Sequence, residues 1–165
     1  MPGKIYRYLA DDHVRMESLL QRATARPDSI DPEPYAEFRA GLLKHIAMEE
    51  KILLPAAQKA QGGKPLALAA RLRLDHGALA ALLVPAPTAA IVAAVRAILT
   101  AHNSIEEGPD GVYAQCEQLA GAEGDQILAQ LQSVPEVKVA PHVETAHVIE
   151  ATRRAVVKAG YTFEM

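Results

Sequence analysis

Apolar residues recur at helical spacing through four long stretches of this chain, and a single histidine sits on each of the four stripes. Leu9, His13, Met16 and Leu20 share the first face, and Leu42, His45, Glu49, Ile52 and Leu53 the second. Leu72, His76, Leu79 and Leu83 share the third, and Val95, Ile98, His102, Ile105 and Glu106 the fourth. A period of three to four residues is that of a helix turning one side to a core. The abundance of alanine and leucine favours helices over strands as well.

Turn signals separate the stretches. The first helix is predicted from Ile5 to Ala25. The second follows Asp31-Pro32-Glu33, which combines an N-cap, a proline at the first helical position and an early acid. It runs to Gln61, where Gly62-Gly63 stops it. Pro65 opens the third, which ends near Val84. Pro85 and Pro87 bracket the next turn, and Thr88 caps a fourth helix reaching Glu107. Gly108-Pro109-Asp110-Gly111 then imposes a break. Val112 to Ala120 and Asp125 to Gln132 read as short helical pieces, and Pro141 as the start of a last helix ending near Gly160. Short connections make consecutive helices antiparallel. The expectation is therefore an all-α protein. Residues 1–120 would form an up-down-up-down four-helix bundle, and residues 121–165 a helical extension packed on the bundle or on a second subunit of a homodimer.

Composition removes several classes of function. The chain has 165 residues, half of them hydrophobic, which is enough for one domain with a sizeable core. Charges interrupt every apolar run, so no membrane span is expected. The first dozen residues lack the layout of a secretory signal, which leaves the cytoplasm as the expected compartment. A net charge of −3 gives no electrostatic reason for a nucleic-acid partner. With Cys116 as the only cysteine, a disulfide framework, a thiolate zinc site and an iron–sulfur cluster within one chain are all excluded. Cys116 reads as a small packing residue. Arg71, Arg73, Arg153, Arg154, His142 and His147 read as solvated surface. Tyr6, Tyr8 and Tyr113 read as packing residues within reach of the histidines.

The stripes also carry chemistry. A lone core histidine is ordinarily a neutral ring bonded to a carbonyl, but a buried carboxylate costs several kcal/mol unless it is paired or bound to metal. Here two glutamates join four histidines, and no lysine or arginine shares their stripes. Depth along the chain agrees with convergence. His13 lies 16 residues before Ser29, near the centre of the first turn, and His45 lies 16 residues after it. The pattern of one histidine followed by His-x-x-x-Glu also occurs twice, as His13 with His45-Ile46-Ala47-Met48-Glu49 and as His76 with His102-Asn103-Ser104-Ile105-Glu106. Residues four apart lie on one face about 6 Å apart along the axis. An imidazole can then hold one ion while the carboxylate reaches a second, and ion pairs about 3.5–4 Å apart suit such bridging. Nitrogen and oxygen donors favour Fe, Mn or Zn over Ca or Mg.

These residues resemble the hemerythrin HHE cation-binding family over roughly Tyr8 to Leu119. The resemblance rests on Leu9-Ala10-Asp11-Asp12-His13, His45-Ile46-Ala47-Met48-Glu49-Glu50-Lys51-Ile52-Leu53-Leu54-Pro55, Asp75-His76 and His102-Asn103-Ser104-Ile105-Glu106-Glu107. It implies a non-haem pair of iron ions, with Zn or Mn as the alternatives, held by His13, His45, Glu49, His76, His102 and Glu106. The implied function is binding of O2 or NO for sensing, delivery or scavenging, with no catalytic residue. The chain departs from the oxygen carriers, which have a fifth histidine where Leu72 stands here. Their last ligand is an aspartate at the position of Glu107, whereas here Glu106, one residue earlier, completes the repeat. The four-histidine, two-glutamate set is more similar to bacterial proteins that repair iron centres, though this chain lacks their cysteine-bearing domain. Peroxide or NO defence, with peroxide as the exogenous ligand, and iron storage or transfer are the alternative functions.

Overall fold

Each of the four stripes folds as a helix. A computed structural model describes residues 2–164, and every regular element among them is helical. In chain order these are α1 (Lys4–Ala23), α2 (Pro32–Met48), a π-helical turn (Glu49–Leu53), α3 (Leu54–Ala60), α4 (Ala69–Leu82), α5 (Ala89–Glu107), α6 (Val112–Ala120), a short 3-10 turn (Gly121–Glu123), α7 (Gly124–Gln132) and α8 (Ala146–Lys158). No helix among the described residues is long and apolar enough to cross a membrane.

The caps read from the sequence hold locally. Asp31 accepts from the Glu33 N–H at 3.2 Å, with proline in the first turn of α2. Thr88 Oγ1 accepts from the Ile91 N–H at 3.2 Å at the start of α5. Gly62 and Gly63 follow α3 with positive φ, the conformation in which glycine is least strained.

Two predicted starts are displaced. The third helix begins at Ala69 rather than Pro65, because Leu66 is buried and its carbonyl closes a tight turn onto the Ala69 N–H. The last begins at Ala146 rather than Pro141. The preceding backbone is engaged elsewhere, with the Val143 N–H donating to the Val84 carbonyl at 3.1 Å, and Thr145 caps the helix by accepting from the Val148 N–H at 3.3 Å. A third difference lies inside the second long helix. The π-helical turn at Glu49–Leu53 advances the stripe by part of a turn, so that Leu53, Leu54 and Ala57 are buried while Ile52 is only half-buried.

The chain divides into two compact units, residues 2–69 with 103–138 and residues 70–102 with 139–164. In the first, α1 packs against α2, α6 and α7, and α3 packs against α6. Ile5, Leu9, Leu20, Phe38, Leu42, Met48, Val112 and Leu131 are buried there. No side chain at the N-cap position satisfies the first N–H groups of α1. Glu117 of α6 does so instead, accepting from the Ile5 and Tyr6 N–H groups at 3.0 and 3.2 Å. In the second unit Leu72, Leu79, Leu82 and Leu83 of the α4 region are buried, as are Ile91, Val95 and Ile98 of α5 and Val156 of α8. Thr152 of α8 donates its hydroxyl hydrogen bond to the Ala81 carbonyl at 3.2 Å.

Candidate metal centre

In the first unit, four donor-bearing side chains and one phenol meet in a buried site. His13 comes from α1, His45 from α2, Glu49 from the first position of the π-helical turn, Glu106 from the last turn of α5 and Tyr113 from the first turn of α6. All five are buried, and Glu49, Glu106 and Tyr113 are wholly inaccessible. Donor atoms of His13, His45 and Glu106 all lie within 4.8 Å of one another. π-Helical turns recur at functional sites because the extra residue re-aims a side chain without ending the helix. Here the turn starts at Glu49, the one carboxylate that α2 and its continuation bring to the group.

The ring orientations are set from behind. His45 Nδ1 lies 2.8 Å from Asp12 Oδ2, and His13 Nδ1 lies 2.8 Å from Glu107 Oε2. An ionised carboxylate only accepts, so each Nδ1 carries a proton and each neutral ring keeps its lone pair on Nε2. The two Nε2 atoms face each other at 3.1 Å, and Glu106 Oε1 lies 3.2 Å from that of His13. Lone pairs aimed at one another and at a carboxylate call for a positive charge between them. Among groups present in the chain, a proton on His13 is what answers. Burial opposes it, but Glu106, Glu107 and Glu49 outweigh burial and hold the His13 pKa above its ordinary value. Asp12 is held below its ordinary value, because His45 and Arg15 together outweigh the burial that raises it. A histidine whose second nitrogen is fixed by a carboxylate is the usual arrangement around bound metal.

Tyr113 completes the group. Its hydroxyl lies 3.0 Å from His13 Nε2 and 3.0 Å from His45 Nε2, and 3.1 Å from Glu49 Oε2 and from Glu106 Oε1. Burial and the two glutamates push its pKa well above 10, so the phenol is neutral. The same surroundings push Cys116 up to about 12, which leaves it an inert packing thiol. Tyr6 meets Tyr113 edge-on at 5.9 Å and donates to the Glu107 carbonyl at 2.5 Å.

The second unit contains a related pair. His76 of α4 and His102 of α5 are both buried, with ring centroids 4.9 Å apart. His102 Nδ1 lies 3.1 Å from Asp75 Oδ2, which fixes its tautomer as Asp12 does for His45. Asp75 is fully buried and also accepts from Arg71 at 2.5 Å. Burial raises its pKa, but His102 and Arg71 prevail and keep it below the ordinary carboxylate value. Arg71 was expected on a solvated face. It instead bonds Asp75 and the Ala159 carbonyl and lies 5.4 Å over the Tyr161 ring, because a fully buried aspartate needs a cation beside it.

No family model, curated protein or solved structure matches this chain. The assignment of a metal site therefore stands on donor chemistry and geometry. All six residues predicted as ligands are buried. His13, His45, Glu49 and Glu106 gather in the first unit, and His76 and His102 pair in the second. A buried His/Glu cluster of this kind has the donors to hold a metal ion. Sequence reasoning missed the carboxylates behind the rings and the contacts that Tyr113 makes with both histidines and both glutamates. The repeated Asp-His doublet was the signal for two of those carboxylates: in each copy the aspartate serves the histidine of the following helix, not its own neighbour. Glu107 is half-buried against His13. His142 and His147 are exposed.

Proposed function

We propose that this chain is a hemerythrin-like protein that holds two iron ions and binds O2 or NO, serving sensing, delivery or scavenging. The observation that carries the reading is the pair of Nε2 atoms 3.1 Å apart, flanked by Glu106 and backed by Asp12 and Glu107. A binding site for a cation explains every one of these placements. A packing role needs an extra proton on His13 to keep two acceptors from facing each other in a buried setting, whereas a bound cation answers both rings and the carboxylate together. The four long helices and their short connections support an up-down-up-down bundle. The sequence repeat assigns the second ion to His76 and His102.

Imidazole and carboxylate donors suit iron, with manganese and zinc as competitors. Iron would supply open coordination positions for a small exogenous ligand. The residues would do the rest: Asp12, Glu107 and Asp75 orient the rings, and the histidines sit on stripes whose apolar members are buried, Leu9 and Met16 in the first unit and Leu72 and Leu79 in the second. Leu72, where the carriers have a histidine, is fully buried and offers no donor. That observation favours a second reading, in which a more open ion reacts with peroxide or NO.

Anaerobic loading with Fe(II) tests both readings. Two equivalents of iron are expected per chain. Admission of oxygen should produce a visible charge-transfer band that disappears on purging. Lasting oxidation would move the assignment to the reactive alternative. Failure to retain iron, with zinc retained instead, would remove both.

A further inference from the structure

We propose that Tyr113 is a metal ligand, supplying its phenolate oxygen to the ion held by His13, His45, Glu49 and Glu106. The inference rests on the metal-binding reading above and adds a ligand that the histidine–glutamate repeat does not contain.

The argument is the shape made by the donor atoms. His13 Nε2, His45 Nε2 and Tyr113 Oη form a triangle with sides of 3.1, 3.0 and 3.0 Å. His13 Nε2, Glu106 Oε1 and Tyr113 Oη form a second, with sides of 3.2, 3.1 and 3.0 Å. The two share an edge, and Glu49 Oε2 lies 3.1 Å from the same hydroxyl. Around an ion with bonds of about 2.0–2.2 Å to nitrogen and oxygen, neighbouring octahedral donors lie about 3 Å apart. The triangles therefore have the dimensions of faces of a coordination polyhedron.

Nor does the hydroxyl sit at the centre of its neighbours. Atoms spread around a centre would be much further from one another than from it, whereas the His13–His45 and His13–Glu106 edges, 3.1 and 3.2 Å, match the distances to Oη. Tyr113 thus occupies a corner. A purely structural phenol is a poor account of these contacts, since it offers one proton while His45 Nε2, Glu49 Oε2 and Glu106 Oε1 all stand as acceptors at 3.0–3.1 Å. A cation among the five donors satisfies them together, and the phenol proton would leave on binding, as protons do when metals displace them from ligands.

The repeat indicates that the placement is specific. Tyr113 stands seven residues after Glu106, while the residue seven after Glu49 is Ala56. The tyrosine enters only because α6 turns back onto α1 after the break at residues 108–111.

The test compares wild type with Tyr113→Phe, a change that keeps the buried ring. Both proteins are loaded with Fe(II), oxidised with ferricyanide and examined by resonance Raman spectroscopy. Wild type should give resonance-enhanced phenolate ring and C–O modes under a visible band, and the variant should lose them. The variant should also bind Fe(II) at least about tenfold more weakly in chelator competition and release one proton fewer on loading. Iron bound without phenolate modes, or modes that persist in the variant, would overturn the role of Tyr113 and leave the metal reading standing. Failure of the wild-type protein to bind iron would overturn both.

Discussion

The two histidine pairs are built to one plan and braced in different ways. Ring centroids are 4.7 Å apart for His13 and His45 and 4.9 Å apart for His76 and His102. In each pair the aspartate preceding one histidine fixes Nδ1 of the other. Asp12 keeps some access to water and meets Arg15 on the surface at 2.9 Å. Asp75 has no such access, and Arg71 holds it while also tying the end of α8 through the Ala159 carbonyl. A partly hydrated carboxylate can orient a ring with only a surface cation beside it. A fully buried one needs both the ring and a guanidinium to offset its desolvation. The first pair also has the Tyr113 hydroxyl 3.0 Å from each Nε2.

The largest difference should come from the rings themselves. His45→Ala should abolish one of two metal equivalents while leaving the other, as read by metal analysis after dialysis, and His102→Ala should do the reciprocal. Loss of both ions from either variant would mean that the two halves bind as one cooperative unit. Next in size, Asp12→Asn and Asp75→Asn should each weaken metal binding about 10–100-fold in chelator competition, the usual cost of losing a carboxylate behind a ligating histidine.

The pairs should also respond to pH with opposite sign in metal-free protein. His13 has a raised folded-state pKa, so its contribution to stability is complete below its unfolded value of 6.5 and disappears as pH rises through the folded value. Asp75 has a lowered one, so its contribution is complete above 3.8 and disappears as pH falls through the folded value. Urea unfolding across pH 3–9 should therefore show a flattened acid limb for Asp75→Asn. For His13→Gln the slope above neutrality should flatten instead. An unchanged acid limb in Asp75→Asn would show that the Arg71 and His102 contacts do not persist in solution. The smallest effect is expected for Arg71→Met, about 1 kcal/mol of stability, since the guanidinium is partly exposed and solvent screens part of its attraction. Its metal binding should weaken only at the second pair.

The six candidate donors were legible because their signal is local. Periodicity places His13, His45, His76 and His102 on apolar stripes, and four-residue spacing adds Glu49 and Glu106 to the same faces. All six are buried as that reasoning requires. Helix ends backed by a cap, such as Asp31 and Thr88, fell where the sequence put them. Starts inferred from proline alone, at Pro65 and Pro141, did not. Proline permits a helix start, but burial of Leu66 and the Val143–Val84 hydrogen bond decided where these helices begin. The π-helical turn has no periodic signature, since it displaces the stripe by less than the tolerance of the pattern. Arg71 looked solvated because its partner Ala159 is 88 residues away.

By itself the sequence determined that the chain is helical, which faces are buried and which six side chains carry metal-binding chemistry, because all of these follow from spacing within single helices. Only the tertiary structure decided which carboxylate fixes which ring, that Glu117 caps α1, and that the Tyr113 hydroxyl meets both histidines and both glutamates of the first unit. Those depend on distances between elements far apart in the chain. Spacing along one helix orients a side chain, and the packing of another element against it determines what that side chain meets.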